Sequence, residues 1–204
     1  MDRRVERTRN RLRAAVLELA ETQDLAELTV HDITRRAGVN RATYYQHYRD
    51  KDELIEQTID ELLHEIFAGC APVLAGVDHL EADSVHPSVV QMFEQVGRRS
   101  DLYQRLIGHG GSAYFIQRFQ DRNEQLYLQV WQFPDAPHGN NDIPAGVRAR
   151  FGASATLGLF SYWLEHGQTE TPETMAAWCW RLVHPVWFDS DESKVNSSLP
   201  ETGA

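Results

Sequence analysis

The 204-residue chain has no apolar run long enough to cross a bilayer, which argues against a membrane span. It has only two cysteines, Cys70 and Cys179, far apart and each in apolar surroundings. A disulfide framework is therefore not expected, and both read as small buried hydrophobes. Strand-like alternation of apolar and polar residues is missing throughout, so the expected fold class is all-α. No serine or cysteine sits in a nucleophile motif, and no glycine-rich loop follows a strand. His64, His79 and His86, with Glu65 and Glu81, lack any spacing that would place metal ligands on one helix face or loop. Neither catalysis, a metal nor a cofactor is expected. The arginine-rich start leads into an amphipathic pattern, not an apolar signal region, so the expected location is the cytoplasm, with no membrane partner.

Positive charge is scarce overall, at a formal net charge of -10, yet it is unevenly spread. Residues 1–51 carry 11 Lys and Arg against eight Asp and Glu, a local excess of base. Nucleic-acid binding requires a basic patch and not a basic whole. If the chain touches DNA, it does so with its first quarter.

What is present is helix, since 42% hydrophobic residues can form a core. Leu12, Val16, Leu19 and Ala20 recur at helical spacing behind six arginines within residues 1–13, which predict a phosphate-facing end. Thr29 opens a second helix, with Asp32 three residues on as an acidic variant of the capping box. Ile33 and Ala37 give that helix its apolar side, and Gly38 ends it. Asn40 caps a third helix running to about Tyr48. Asp50 caps a fourth, with Glu53 as its partner and Leu54, Ile55, Ile59, Leu62, Leu63 and Ile66 as the buried stripe. Two short helices joined by a tight turn and packed on a longer first one make a helix-turn-helix unit. Further helices are expected at residues 88–99, 102–108, 112–133 and 147–166, and from Thr171, with Pro172 in its first position, to about Trp187. Residues 71–87 read as a break or a short irregular helix, and residues 134–146 as a loop, either plain disorder or a flap over a pocket. The predicted division is a helix-turn-helix domain over residues 1–50, a larger helical domain over 51–188 and a disordered tail over 189–204. That tail contains Leu199-Pro200-Glu201-Thr202-Gly203, a match to a sortase signal that lacks the hydrophobic and basic sequel anchoring needs. It reads as chance or an engineered ligation tag.

The third helix carries the chemistry. Tyr44 and Tyr48 share one side and pack inward, while Ala42, Thr43, Tyr45, Gln46 and His47 spread over the rest, with Arg41 at the edge. No acid lies on this face, as a phosphate-bearing partner requires. Arg41 and Gln46 can address base edges, and the Tyr45 ring can lie on a thymine methyl or sugar-phosphate. Thr43, His47 and Lys51 can donate to phosphates, Lys51 beside the positive end of the fourth helix.

The pattern Thr29-x-x-Asp32-Ile33-x-x-x-Ala37-Gly38-Val39-x-x-x-Thr43-x-Tyr45-x-His47-Tyr48-x-x-Lys51-x-x-Leu54 resembles the DNA-binding signature of TetR-family transcriptional regulators. That resemblance implies a helix-turn-helix DNA-binding unit joined to a larger helical domain. It puts Thr43, Tyr45, His47 and Lys51 on DNA-contacting positions and Thr29 on a phosphate-contacting helix start. His31, Arg41, Ala42 and Gln46 fall on the variable positions that read sequence, and Tyr48 stands where the family more often has Phe. Two C-terminal stretches, "DLYQRLIGHGGSAYFIQRF" and "GLFSYWLEHGQTETPETMAAWCWRL", resemble the subgroup that includes the dihydroxyacetone-kinase operon regulator.

The expected function is a ligand-responsive regulator, a repressor by that resemblance. It would bind a pseudo-palindromic double-stranded DNA operator as a homodimer and be released by an unidentified small-molecule effector. The alternative is a DNA-binding co-activator working through a partner protein that senses the effector. Dimerisation is assigned to the last two helices, through Phe151, Ala155, Gly158, Leu159, Tyr162, Met175, Trp178, Leu182 and Trp187. The effector site is assigned to Phe93, Tyr103, Tyr114, Phe115, Phe119, Tyr127, Trp131, Phe160 and Trp163, with Arg105, His109 and Arg122 as polar anchors.

Overall fold

A computed structural model of the chain describes residues 3–70, 85–108, 110–130 and 143–187, with the side chains of Val130 and residues 184–187 outside that description. The predicted loop, the predicted tail, His109 and Trp131 thus lie largely or wholly outside the described residues, and so does the side chain of Trp187.

The described residues form nine α-helices and no strand. These are α1 (Arg3–Ala20), α2 (Val30–Ala37), α3 (Arg41–Tyr45), α4 (Lys51–Phe67), α5 (Pro87–Arg98), α6 (Ser100–Ile107), α7 (Ala113–Val130), α8 (Ala145–Glu165) and α9 (Pro172–Trp187). A single 3-10 turn, Leu25–Glu27, joins α1 to α2. Leu12, Ala15, Val16 and Ala20 on α1 are buried, as their spacing of three and four predicts, against α2 and α4. The far half of α4, including Leu62, Leu63, Ile66 and Phe67, packs on α5 and α7. One continuous apolar core therefore runs from the N-terminal helices α1 to α4 into the larger body. Within that body α8 packs on α6, α7 and α9, and α9 also lies on α5.

Local chemistry sets the ends. Thr171 accepts the Thr174 N–H at 3.3 Å, with Pro172 opening α9. Gly167 and Gln168 take positive φ, 69° and 55°, in the turn between α8 and α9. His86, read from sequence only as one of several scattered histidines, caps α5 by accepting the Ser88 N–H on Nδ1 at 3.0 Å. One expectation is corrected. The third helix does not reach Tyr48 but closes after Tyr45. The N–H groups of His47 and Tyr48 both go to the Tyr44 carbonyl, at 2.9 and 3.1 Å, which tightens the chain out of α geometry.

Candidate nucleic-acid interface

At the start of α2, Thr29 is extended and its hydroxyl oxygen accepts the Asp32 N–H at 3.2 Å. The Thr29 hydroxyl donates in turn to the Asp32 carboxylate, and that bond holds the carboxyl below its ordinary value. Thr29 and His31 are exposed at this helix start. The other end closes at Gly38, with φ 60° and ψ 39° in the left-handed region. Glycine suits this position because a Cβ would be strained at that φ; it would also stand 2.7 Å from Arg11 Nη2, which would have to shift. That guanidinium reaches across from α1 to donate to the Gly38 carbonyl at 2.9 Å.

Asn40 then caps α3, its side-chain oxygen accepting the Thr43 N–H at 2.7 Å. Tyr44 and Tyr48 are buried with ring centroids 5.8 Å apart, and the Tyr44 hydroxyl donates to the Asp50 carbonyl at 2.7 Å. Burial pushes both phenols up, so they stay neutral. The Tyr48 hydroxyl is buried without a hydrogen-bond partner. With those two rings anchored inward, the other side of α3 must face out. Arg41, Ala42, Tyr45 and Gln46 are exposed, and Thr43 and His47 are half-buried. Tyr45 is 48% exposed, so of the three tyrosines it alone is available to a partner. Arg41 Nη2 donates to its hydroxyl at 3.3 Å, and the guanidinium carbon sits 5.7 Å from the ring centroid. The pair is thus steered over one patch, and no carboxylate occurs in the sequence from Arg41 to Arg49.

Several basic residues expected at DNA have work inside the protein. Arg11 holds Gly38, and Arg13 pairs with Glu61 on α4. Lys51, at the positive end of α4, donates to the Ala26 carbonyl at 2.6 Å. Arg3, Arg4 and Arg7 at the front of α1 are exposed, as is Arg41 on α3. The sequence pattern could not signal these contacts, because the partners lie 25 to 48 residues away along the chain.

The residues assigned to an effector divide into two groups. Phe93, Tyr103, Phe115, Phe119, Tyr127, Phe160 and Trp163 are buried together. Ring centroids are 4.6 Å apart for Phe93 and Phe160, and 5.7 Å apart for Phe119 and Phe160. Beside them, the Tyr127 hydroxyl lies 3.0 Å from Thr156 Oγ1, which is 3.8 Å from the buried thiol of Cys179. Burial raises that thiol to about 11, so it is protonated and inert near neutral pH. Arg105 and Arg122 are not brought to these rings. Both are exposed, Arg105 bonded to the end of α1 and Arg122 beside α4, so they do not anchor anything in the interior. Tyr114 is half-buried and donates to Asp60 at 3.4 Å.

On α8 the residues assigned to an interface form one stripe, exposed at Phe151, Gly158 and Tyr162 and half-buried at Ala155 and Leu159. Phe151 and Tyr162 are 58% and 52% exposed, and Val147, not singled out before, extends the stripe at 58%. Ala155, Gly158 and Leu159 lie along it, and Trp178 and Leu182 on α9 are exposed as well. Met175 is corrected. It is fully buried among the protomer's own helices and cannot reach this face, because α9 is apolar on more than one side and periodicity alone does not choose between them. Among the described residues no group of His, Cys, Asp and Glu could hold a metal ion, and no helix is long and apolar enough to cross a membrane.

Comparison with known proteins gives two family matches. Residues 12–58 match the family described as bacterial regulatory proteins, tetR family, and residues 83–184, half of the chain, match its transcriptional regulator C-terminal region. The chain is 32% identical over 188 residues to the uncharacterized HTH-type transcriptional regulator YxbF of Bacillus subtilis (strain 168), covering 86% of this chain and 44% of that one. It spans about half the length of the curated relatives it matches. Among solved structures, a TetR transcriptional regulator from Streptococcus agalactiae 2603V superposes with a TM-score of 0.67 at 23% identity, covering 89% of this chain and 96% of that one. The dihydroxyacetone kinase operon activator DhaS does so with a TM-score of 0.63 at 16% identity, covering 88% and 96%. At these identities the structural likeness establishes the fold alone.

Proposed function

The chain belongs to the TetR family of transcriptional regulators, and from that premise we propose that it is a ligand-responsive repressor acting as a homodimer on a pseudo-palindromic operator. The observation that carries the DNA reading is the acid-free outer face of α3, with Tyr45 and Arg41 held together over it. Phosphates fix the position of such a helix, and base edges give it specificity. Arg41, Ala42, Tyr45 and Gln46 are placed to read, and Thr29, Thr43, His47 and Lys51 to grip. His31 flanks the reading face from α2.

Dimerisation is supported by the α8 stripe. Val147, Phe151, Ala155, Gly158 and Tyr162 fall within an arc of roughly 80° at ~100° per residue. A Cβ added at Gly158 would meet nothing within 4 Å, so the protomer itself does not require glycine there. A glycine in an exposed helix interior costs stability relative to alanine, and the close approach of a second helix explains its use. Two recognition helices would then meet half-sites about one helical turn apart, roughly 34–36 Å.

The effector is proposed to bind in the body near the aromatic and Tyr127–Thr156 cluster and to favour a state in which the two α3 helices no longer match that spacing. It shifts the balance only by its difference in affinity for the two states. The test is an operator titration with and without candidate effectors. Release of DNA from the isolated dimer supports the reading. Specific operator binding that no small molecule affects, with a co-purifying sensor protein, replaces it with the co-activator reading.

A further inference from the structure

We propose that Arg99, which links α5 to α6, and Arg105, on α6, are positioning residues in the body of the protein for the DNA-gripping ammonium of Lys51. This rests on the reading above that Lys51 meets a phosphate.

The last carbonyls of a helix have no partner within it. At the end of α1, the Leu19 carbonyl takes the N–H groups of Thr22 and Gln23, at 3.0 and 3.1 Å. The Glu21 carbonyl is taken from outside, by Arg105 Nε at 3.0 Å. The same guanidinium places Nη1 3.9 Å from the Asp24 carboxylate, and Arg99 Nη2 donates to the Glu21 carboxylate at 2.9 Å. Two side chains, Arg105 of α6 and Arg99 at its N-cap, thus clasp three groups within residues 21–24. A planar guanidinium suits this task because its donors are fixed in a fork, and a cation at a helix carboxyl end is favoured.

The clasped segment runs straight into the turn Leu25–Glu27, none of whose residues is buried. A cleft of about 440 Å³ opens between that turn, Asp52 and Arg105. Within the turn only Leu25 packs on the core, half-buried, before Leu28 anchors the chain again, so the clasp holds the side of the turn that the core does not. The Ala26 carbonyl of this turn accepts one of the three N–H bonds of Lys51, at 2.6 Å. The two remaining donors point where that carbonyl leaves them. A displacement of α6 moves the Ala26 carbonyl and with it the ammonium. This gives the body a route to the DNA grip that does not pass along α4.

The test is a double-mutant cycle on operator affinity in the full chain, with Arg105→Met and Lys51→Met. Arg105→Met is expected to weaken binding about three- to tenfold, the size residue coupling of this kind reaches, and to have almost no further effect once Lys51 is Met. Additive losses overturn the proposal. Arg98→Met on α5 removes the same charge elsewhere and is expected to change affinity less than twofold. Glu21→Met separates positioning from charge. Removing an acid near DNA strengthens binding by electrostatics alone, whereas loss of the clasp weakens it, and tighter binding contradicts the proposal. If the unaltered protein binds no operator, the DNA reading fails and the clasp is judged without DNA. Arg105→Met must then speed amide exchange at Glu27 and Leu28 but not in α7, and unchanged exchange overturns it.

Discussion

Replacing Gly158 with leucine is expected to weaken the proposed dimer while leaving the protomer folded. Glycine is about 0.8–1.0 kcal/mol worse than alanine in a helix interior, and leucine is close to alanine. Gly158 is exposed and nothing among the described residues lies within 4 Å of an added Cβ, so the new side chain starts from open space. Each α8 helix is thus stabilised by about 0.8 kcal/mol. In a two-fold interface the same leucine is inserted twice, and overpacking costs about 1–3 kcal/mol per site, or about 2–6 kcal/mol per dimer. At 1.4 kcal/mol per factor of ten, the dissociation constant rises at least about 30-fold. Sedimentation velocity over a concentration series measures this, with far-UV circular dichroism to confirm that helix content is kept. A Gly158→Leu variant that dimerises as tightly as the unaltered chain refutes the reasoning and moves the interface elsewhere.

Gly38→Ala acts in the opposite direction, because φ is 60° there and Arg11 occupies the space. It is expected to cost about 1–2 kcal/mol and lower Tm by roughly 2–8 °C by calorimetry, and an unchanged Tm would contradict the turn assignment. Tyr45→Ala is expected to weaken operator binding roughly tenfold by fluorescence anisotropy while moving the urea midpoint within the scatter of an ordinary surface change. Tyr45→Phe, which loses only the hydroxyl bond to Arg41, should fall between the two. His86 predicts a pH effect. Partial burial lowers its pKa below 6.5, so the neutral imidazole that caps α5 is the favoured folded form. Its contribution is complete above pH 6.5 and is lost as the pH falls through the lower folded value. His86→Asn keeps a cap acceptor, and its urea midpoint should lose that acid-side dependence; an identical pH profile would show that His86 is not the group responsible.

Elements whose ends rest on neighbouring residues were legible in the sequence. Thr29 with Asp32, Asn40 with Thr43, Asp50 with Glu53 and Thr171 with Thr174 are all caps that reach three residues on, and each stands where local chemistry put it. The inward pair Tyr44 and Tyr48 also followed from helical spacing, leaving Tyr45 outside. What could not be read depends on distant partners. Arg11 with Gly38, Lys51 with Ala26 and Arg105 with Glu21 join residues 25 to 84 apart, and no periodicity reports which basic side chain turns inward. The burial of Met175 escaped for another reason. A helix apolar around much of its circumference offers more than one face to the core, and only the packing of α5 and α8 decides between them.

Selection of duplexes from a random library by the purified protein tests the proposed DNA-reading face of α3 most directly. The expected result is enrichment of a pseudo-palindrome with half-sites about one helical turn apart, and loss of that enrichment in Tyr45→Ala. Recovery of no common sequence, or the same sequence recovered equally well by Tyr45→Ala, would contradict it.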